Sequence, residues 1–178
     1  AQDKMAFMAA LRGQSVKRST SQHRFVKVCG IKTPEAAVAA APSGADLLGI
    51  ILAPDTKRTV SDADALEIVN AVHRIKRSNE RANAQKPMEW FAWHAQRMAE
   101  AVRQRPLVVG VFRIQSLEEI AEKAMALGLD AVQLHGRVEE LDWAKFLPGV
   151  FVIRVFHMTP DEEKNAPTLH DALRPGYH

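Results

Sequence analysis

Val26-Lys27-Val28-Cys29-Gly30-Ile31 is a short apolar strand that runs straight into a helix start. Thr33 stands at the N-cap, Pro34 at the first helical position, and Glu35 in the first turn, where an acidic side chain complements the helix dipole. The helix that follows is rich in alanine, as close packing against a sheet permits. Pro42 should disturb its last turn and Gly44 should end it. Next comes Ala45-Asp-Leu-Leu-Gly-Ile-Ile-Leu52, an almost unbroken apolar run of strand length. Such a run reads as a strand buried on both faces, as in a parallel sheet covered by helices. The first strand is therefore read over 25–31 and the second over 45–52, joined by a right-handed crossover.

The same rhythm continues outward. Ser61 and Asp64 make a capping-box-like start for a second helix, with Leu66, Val69, Val72 and Ile75 as its predicted core face. Residues 77–87 are polar. Residues 88–103 then read as an extra amphipathic helix, with Phe91, Ala95, Met98 and Val102 on one face. It breaks the alternation, so 77–104 is read as a helical insertion, expected to pack near the second helix. Strand three is Leu107 to Phe112. Ser116 and Glu119 cap a third helix lined by Leu117, Ile120, Ala124 and Leu127, and Gly128 ends it. Strand four is Asp130 to His135, a short helix covers about Glu139 to Phe146, and strand five is Val150 to Phe156. After Thr159 the apolar pattern fades, and Pro160 to His178 offers no further strand. The fold class is α/β. An open doubly wound sheet and an eight-fold barrel broken after five strands both fit this pattern.

A chain of 178 residues, 47% hydrophobic, can bury the core of one domain. No apolar stretch approaches the length of a membrane span. A single cysteine excludes an intrachain disulfide and fits a reducing, cytosolic setting. Residues 1–22 pair a helix-like Met5–Leu11 with a polar stretch and read as a linker or arm. They lack the apolar core and cleavage site of a secretory signal. The first residue, Ala1, fits excision from a longer polypeptide or removal of an initiator. Net charge is +3, with small basic clusters at Lys17-Arg18 and Arg74 to Arg77. Neither cluster is interleaved with stacking aromatics, so nucleic acid is not the expected partner.

Four places fall at C-terminal strand ends: Cys29, Lys57-Arg58, Arg113-Ile114-Gln115, and Gln133 with His135. In parallel α/β folds those ends open onto the shared ligand crevice, so their convergence argues for a small-molecule site. Cys29 reads as a nucleophile, a base or a small buried filler; as a nucleophile it would want a neighbouring base, which His135 could supply. No second cysteine or His/Cys cluster points to a metal. Arg58 reads as a solvated loop charge or as a guanidinium fork for a carboxylate or phosphate. His135 reads as a packing histidine or as an acid, base or donor. No glycine-rich phosphate loop is present.

Five motifs in order carry a resemblance: Val26-Lys-Val-Cys-Gly-Ile31, Gly44-Ala-Asp-Leu-Leu-Gly-Ile-Ile51, Lys57-Arg58-Thr59, Val109-Gly-Val-Phe112 and Asp130-Ala-Val-Gln-Leu-His-Gly136. Together they resemble phosphoribosylanthranilate isomerase, a tryptophan-pathway family with a TIM (β/α)8 barrel, over about Phe25 to Phe156. The arm at 1–22 and the insertion resemble filamentous-fungal versions, where this domain is the C-terminal part of a multifunctional polypeptide. The resemblance thus implies a partial barrel over 23–178, holding about strands one to five.

The activity so implied is an Amadori rearrangement of N-(5-phosphoribosyl)anthranilate, in the cytoplasm, with neither metal nor redox cofactor and no nucleic-acid or membrane partner. An acid opens the furanose to a Schiff base, and a base removes the C2′ proton. By resemblance Cys29 is the base, Arg58 holds the anthranilate carboxylate, and Gln133 and His135 line the ring pocket. The family's acid, an aspartate on strand six, and its phosphate loops after strands seven and eight have no match here. Two functions follow as expectations. One is an isomerase incomplete in this chain alone. The other is a catalytically inactive truncated barrel acting as a binding or assembly module.

Overall fold

The protein is described by a computed structural model covering residues 24–77, 90–135, 143 and 146–155. The arm at 1–22, most of the short fourth helix read from the sequence and the stretch after 155 lie outside the described residues. The elements are β1 (Lys27–Cys29), α1 (Pro34–Ala40), β2 (Leu47–Ile51), α2 (Asp62–His73), α3 (Trp90–Gln104), β3 (Leu107–Phe112), α4 (Leu117–Leu127), β4 (Ala131–Leu134) and β5 (Phe151–Arg154). Thr33, Ser61 and Ser116 cap α1, α2 and α4 as the sequence predicts, and Ser116 with Glu119 closes a full capping box.

The five strands are parallel and lie in the order β1-β2-β3-β4-β5. This decides between the two architectures the sequence leaves open. A doubly wound sheet reverses its order at a switch point. Here each strand is laid beside the one before it, as around a barrel wall.

The sheet has two unlike faces. On the outer one, Leu48, Ile50, Val108, Phe112, Val132 and Leu134 pack against Ala37 of α1, Ala65, Ile68, Val69 and Val72 of α2, and Ile120, Ala124 and Leu127 of α4. On α2 the predicted Val69 and Val72 are buried as expected, while the rest of its core face is turned from the predicted one. Leu66 is exposed, Ala65 and Ile68 are buried in its place, and Ile75 falls beyond the last helical residue. Ala65 is fully buried in the cluster that joins α1, α2 and α4 to the sheet.

The insertion helix is corrected in position. On the inner face, turned away from α1, α2 and α4, Val102 of α3 packs with Leu47, Leu107, Val109 and Ala131, flanked by Met98, Ala101, Phe151 and Ile153. Helix α3 thus covers the inner face near the strand starts instead of lying beside α2, and Ala95, predicted on its apolar face, is exposed.

Two aspartates staple the N-terminal edge in the same way. Asp46, just before β2, accepts the Val26 N–H at 3.0 Å and pairs with Arg77 at 3.3 Å. Asp130, just before β4, accepts the Val108 N–H at 2.8 Å and takes a two-pronged Arg105 guanidinium at 2.6 and 2.7 Å. Arg77 also donates to the carbonyls of Ala41, Ala45 and Val102, which joins the α1–β2 turn to α3. Part of the basic cluster at 74–77 is therefore structural. Asp130→Ala should cost about 3 kcal/mol, because it strands a largely covered guanidinium and an N–H donor together. Urea unfolding followed by circular dichroism measures it, and a loss below about 1 kcal/mol would mean solvent replaces the carboxylate at no cost.

Candidate active site

The C-terminal end of β1 is where the site begins. Strand β1 stops at Cys29, and the chain turns at Gly30 with φ +89°, a conformation open to glycine and strained for other residues. The turn is held by Gly30 and Ile31 N–H groups donating to the Gly49 carbonyl at 2.8 and 3.0 Å. Cys29 is exposed.

Arg58 comes to the same place from the next loop. The segment after β2 is shaped by its own polar groups: the Thr59 hydroxyl donates to the Ala53 carbonyl at 2.7 Å, and the Thr56 hydroxyl accepts the Arg58 N–H at 3.3 Å. Val60 N–H returns to the Ile51 carbonyl at 3.0 Å. The Arg58 side chain then folds over Gly30. A Cβ on that glycine would start 2.8 Å from Arg58 Nη1. Glycine at position 30 therefore serves twice, for the positive φ and for the close approach of the Arg58 guanidinium. Lys57 is exposed, and its carbonyl faces the Lys32 ammonium at 3.5 Å.

Gln133 and His135 belong to β4 and the turn after it. Register places Cys29 opposite Gly49, Gly49 opposite Val109, and Val109 opposite Ala131, with Gln133 two residues further along β4. Residues two apart on a strand share a face, so Gln133 stands on the inner face with Cys29, one layer nearer the mouth. Two strands separate β1 from β4, roughly 14 Å along the sheet. His135 follows β4, three strands along the wall from Cys29. Its N–H donates to the Phe112 carbonyl at 2.9 Å, which anchors the turn.

Gln115 leaves the candidate set. Its carbonyl oxygen accepts the N–H groups of Arg113 and Ile114 at 3.0 and 3.2 Å, and its amide donates to the Leu52 carbonyl at 2.7 Å. The side chain ties the loop after β3 to the end of β2. Two residues that the sequence reading passed over join the site instead. Lys27 Nζ lies 3.1 Å from Cys29 Sγ, and Gly49 provides the space that both occupy. The signal for Lys27 was its i, i+2 spacing from Cys29 on one strand.

The family model for N-(5'phosphoribosyl)anthranilate (PRA) isomerase matches residues 73–173. This chain belongs to that isomerase family. Gln133 and His135 fall within the matched residues, while Cys29 and Arg58 precede them. The multifunctional tryptophan biosynthesis protein of Phycomyces blakesleeanus is 44% identical over 159 residues, covering 85% of this chain and 20% of that protein. The N-(5'-phosphoribosyl)anthranilate isomerase of Wickerhamomyces anomalus is 35% identical over 156 residues, covering 86% of this chain and 64% of the relative. Among solved structures, a phosphoribosyl anthranilate isomerase in complex with reduced 1-(o-carboxyphenylamino)-1-deoxyribulose 5-phosphate matches with TM-score 0.55 at 26% identity, over 80% of this chain and 58% of that one. The chain thus spans a fifth of the fungal multifunctional relative and under two thirds of the single isomerase. Five parallel strands in sequence order are the corresponding part of a (β/α)8 wall. No helix among the described residues is long and apolar enough to cross a membrane.

Proposed function

We propose that this chain supplies the base and the anthranilate-binding side of a phosphoribosylanthranilate isomerase site, acting in the cytoplasm within a larger polypeptide that carries other tryptophan-pathway activities. The observation that carries the reading is the placement of the Arg58 guanidinium over Gly30, the residue that follows Cys29 at the end of β1, at the mouth of a sequentially ordered parallel sheet. A guanidinium offers a planar fork matched to a carboxylate. Set there, it would hold the substrate's aromatic carboxylate and leave the sugar carbons within reach of the sulfur.

The step assigned to Cys29 is proton abstraction. In the ring-opened Schiff base the C2′–H bond breaks and the proton passes to sulfur. Its electron pair forms a C1′=C2′ bond, and the C1′=N pair returns to nitrogen, which gives an enolamine. The C2′ hydroxyl then loses a proton while C1′ gains one, yielding the aminoketone. The reduced ligand in the solved relative is of that product class. Gln133, on the same face, is assigned to the ring pocket together with His135.

The test joins this chain to the C-terminal remainder of the Phycomyces blakesleeanus relative. Loss of phosphoribosylanthranilate fluorescence is then followed for the fusion and for the 178-residue polypeptide alone. Turnover by the fusion, with at least about 10²-fold less from the polypeptide alone, is the expected result. A folded fusion without turnover would leave the chain as a binding or assembly module.

A further inference from the structure

We infer that Lys27 is a positioning residue for Cys29, holding its sulfur on the inner face and keeping a positive charge beside it. The inference rests on the reading of Cys29 as the base. Lys27 and Cys29 are alternate residues of β1, so their side chains leave the strand on one side. The ammonium donates toward sulfur across 3.1 Å.

The partner strand is shaped for this contact. Cys29 stands in register with Gly49, and a Cβ at Gly49 would start 2.7 Å from Sγ and 2.9 Å from Lys27 Nζ. Any other residue at 49 would push both atoms away. The position in register with Lys27 is Leu47, which is buried, so β2 offers the lysine no counter-charge. A lysine that orders its long side chain loses considerable rotamer freedom. On this face the group that receives its hydrogen bond is the sulfur.

The chemistry fits a base. An ammonium has donors and no acceptor, so it can only donate to Sγ. Such a contact is charge-assisted and strong when the sulfur is anionic, and weak when it carries its proton. It also fixes the direction in which the lone pairs point.

Cys29 is the chain's one cysteine, so thiol alkylation reports on it alone. The experiment measures alkylation of the 178-residue protein by neutral iodoacetamide and by anionic iodoacetate, for the wild type, K27M, K27R and G49A, with a thermal melt of each. K27M should slow iodoacetamide by about tenfold, and iodoacetate by more, because the charge that attracts the anion goes too. K27R should restore most of both rates. G49A, which keeps both groups but displaces them, should fall between K27M and the wild type. Wild-type rates in a folded K27M, or an unchanged ratio between the two reagents, would overturn the inference; if K27M does not fold, wild-type rates in G49A do the same. Alkylation requires no isomerase activity. An active fusion with no effect of K27M sinks this inference alone, and an inactive fusion with a clear effect sinks only the functional reading.

Discussion

Cys29→Ala, in a barrel completed with the remainder of the Phycomyces blakesleeanus relative, should lower kcat by roughly 10²- to 10⁴-fold, the usual contribution of one general base. The fold should not notice. Cys29 lies outside the buried core clusters and its side chain is small, so the loss of one sulfur should cost little beside the lost base. Loss of turnover and retention of stability are thus separable in one variant. Steady-state kinetics paired with a thermal melt checks both. If Arg58 holds the carboxylate independently of the thiol, KM should change far less than kcat, because the base acts only as the C2′–H bond breaks. A folded variant with kcat near that of the parent fusion would return Cys29 to the surface and shift the search for a base to Lys27 or to residues of the added segment.

Much of this was legible in the chain because strand and helix periods are so different. The run from Ala45 to Leu52 reads as a doubly buried strand, and all five residues of β2 are buried. The three serine and threonine caps were legible for the same local reason: an N-cap is a short-range hydrogen bond. What periodicity does not encode is the neighbour. Strand order, and with it the choice between a barrel wall and a doubly wound sheet, is a property of contacts far apart in sequence. Part of the α2 face was misplaced for a related reason, although Val69 and Val72 are buried as read. Leu66 is the larger apolar residue, yet it is Ala65 that is buried. Helix α3 has the same origin, since nothing in 88–103 says that Val102 seats on the inner face. At the site, Cys29 and Arg58 were found from their places at strand ends. The glycines that make room for each of them emerge only from distances, with Gly30 under Arg58 and Gly49 under Cys29. Gln115 shows the converse: a polar residue at the right end of a strand, with its amide already committed to three backbone groups.

The polypeptide of 178 residues, without the remainder of a barrel, should be oligomeric at micromolar concentration and should turn monodisperse when the remainder is joined to it. Among the described strands, β1 pairs only with β2 and β5 only with β4, which leaves each with one unpaired backbone edge. The side chains tell the same story. Strands β2 and β3 are buried throughout, whereas every residue of β5 is half-buried, and Phe25 and Val26 just before β1 and Val28 within it are exposed. Natural edge strands are protected by outward charges, prolines or bulges. The one charged side chain of β1, Lys27, is turned to the inner face beside Cys29 and so gives the open edge no protection. An apolar parallel edge of this kind is a template for a second strand, and a second copy of the chain offers one. Helix α3 relieves part of the problem, since it covers the strand starts on the inner face, but it donates no backbone groups to either edge among the described residues. Dynamic light scattering across a dilution series, with the polypeptide and the fusion side by side, reads the effect directly. A monodisperse monomer that melts cooperatively at high temperature without the added segment would show that these edges are already covered within the 178 residues.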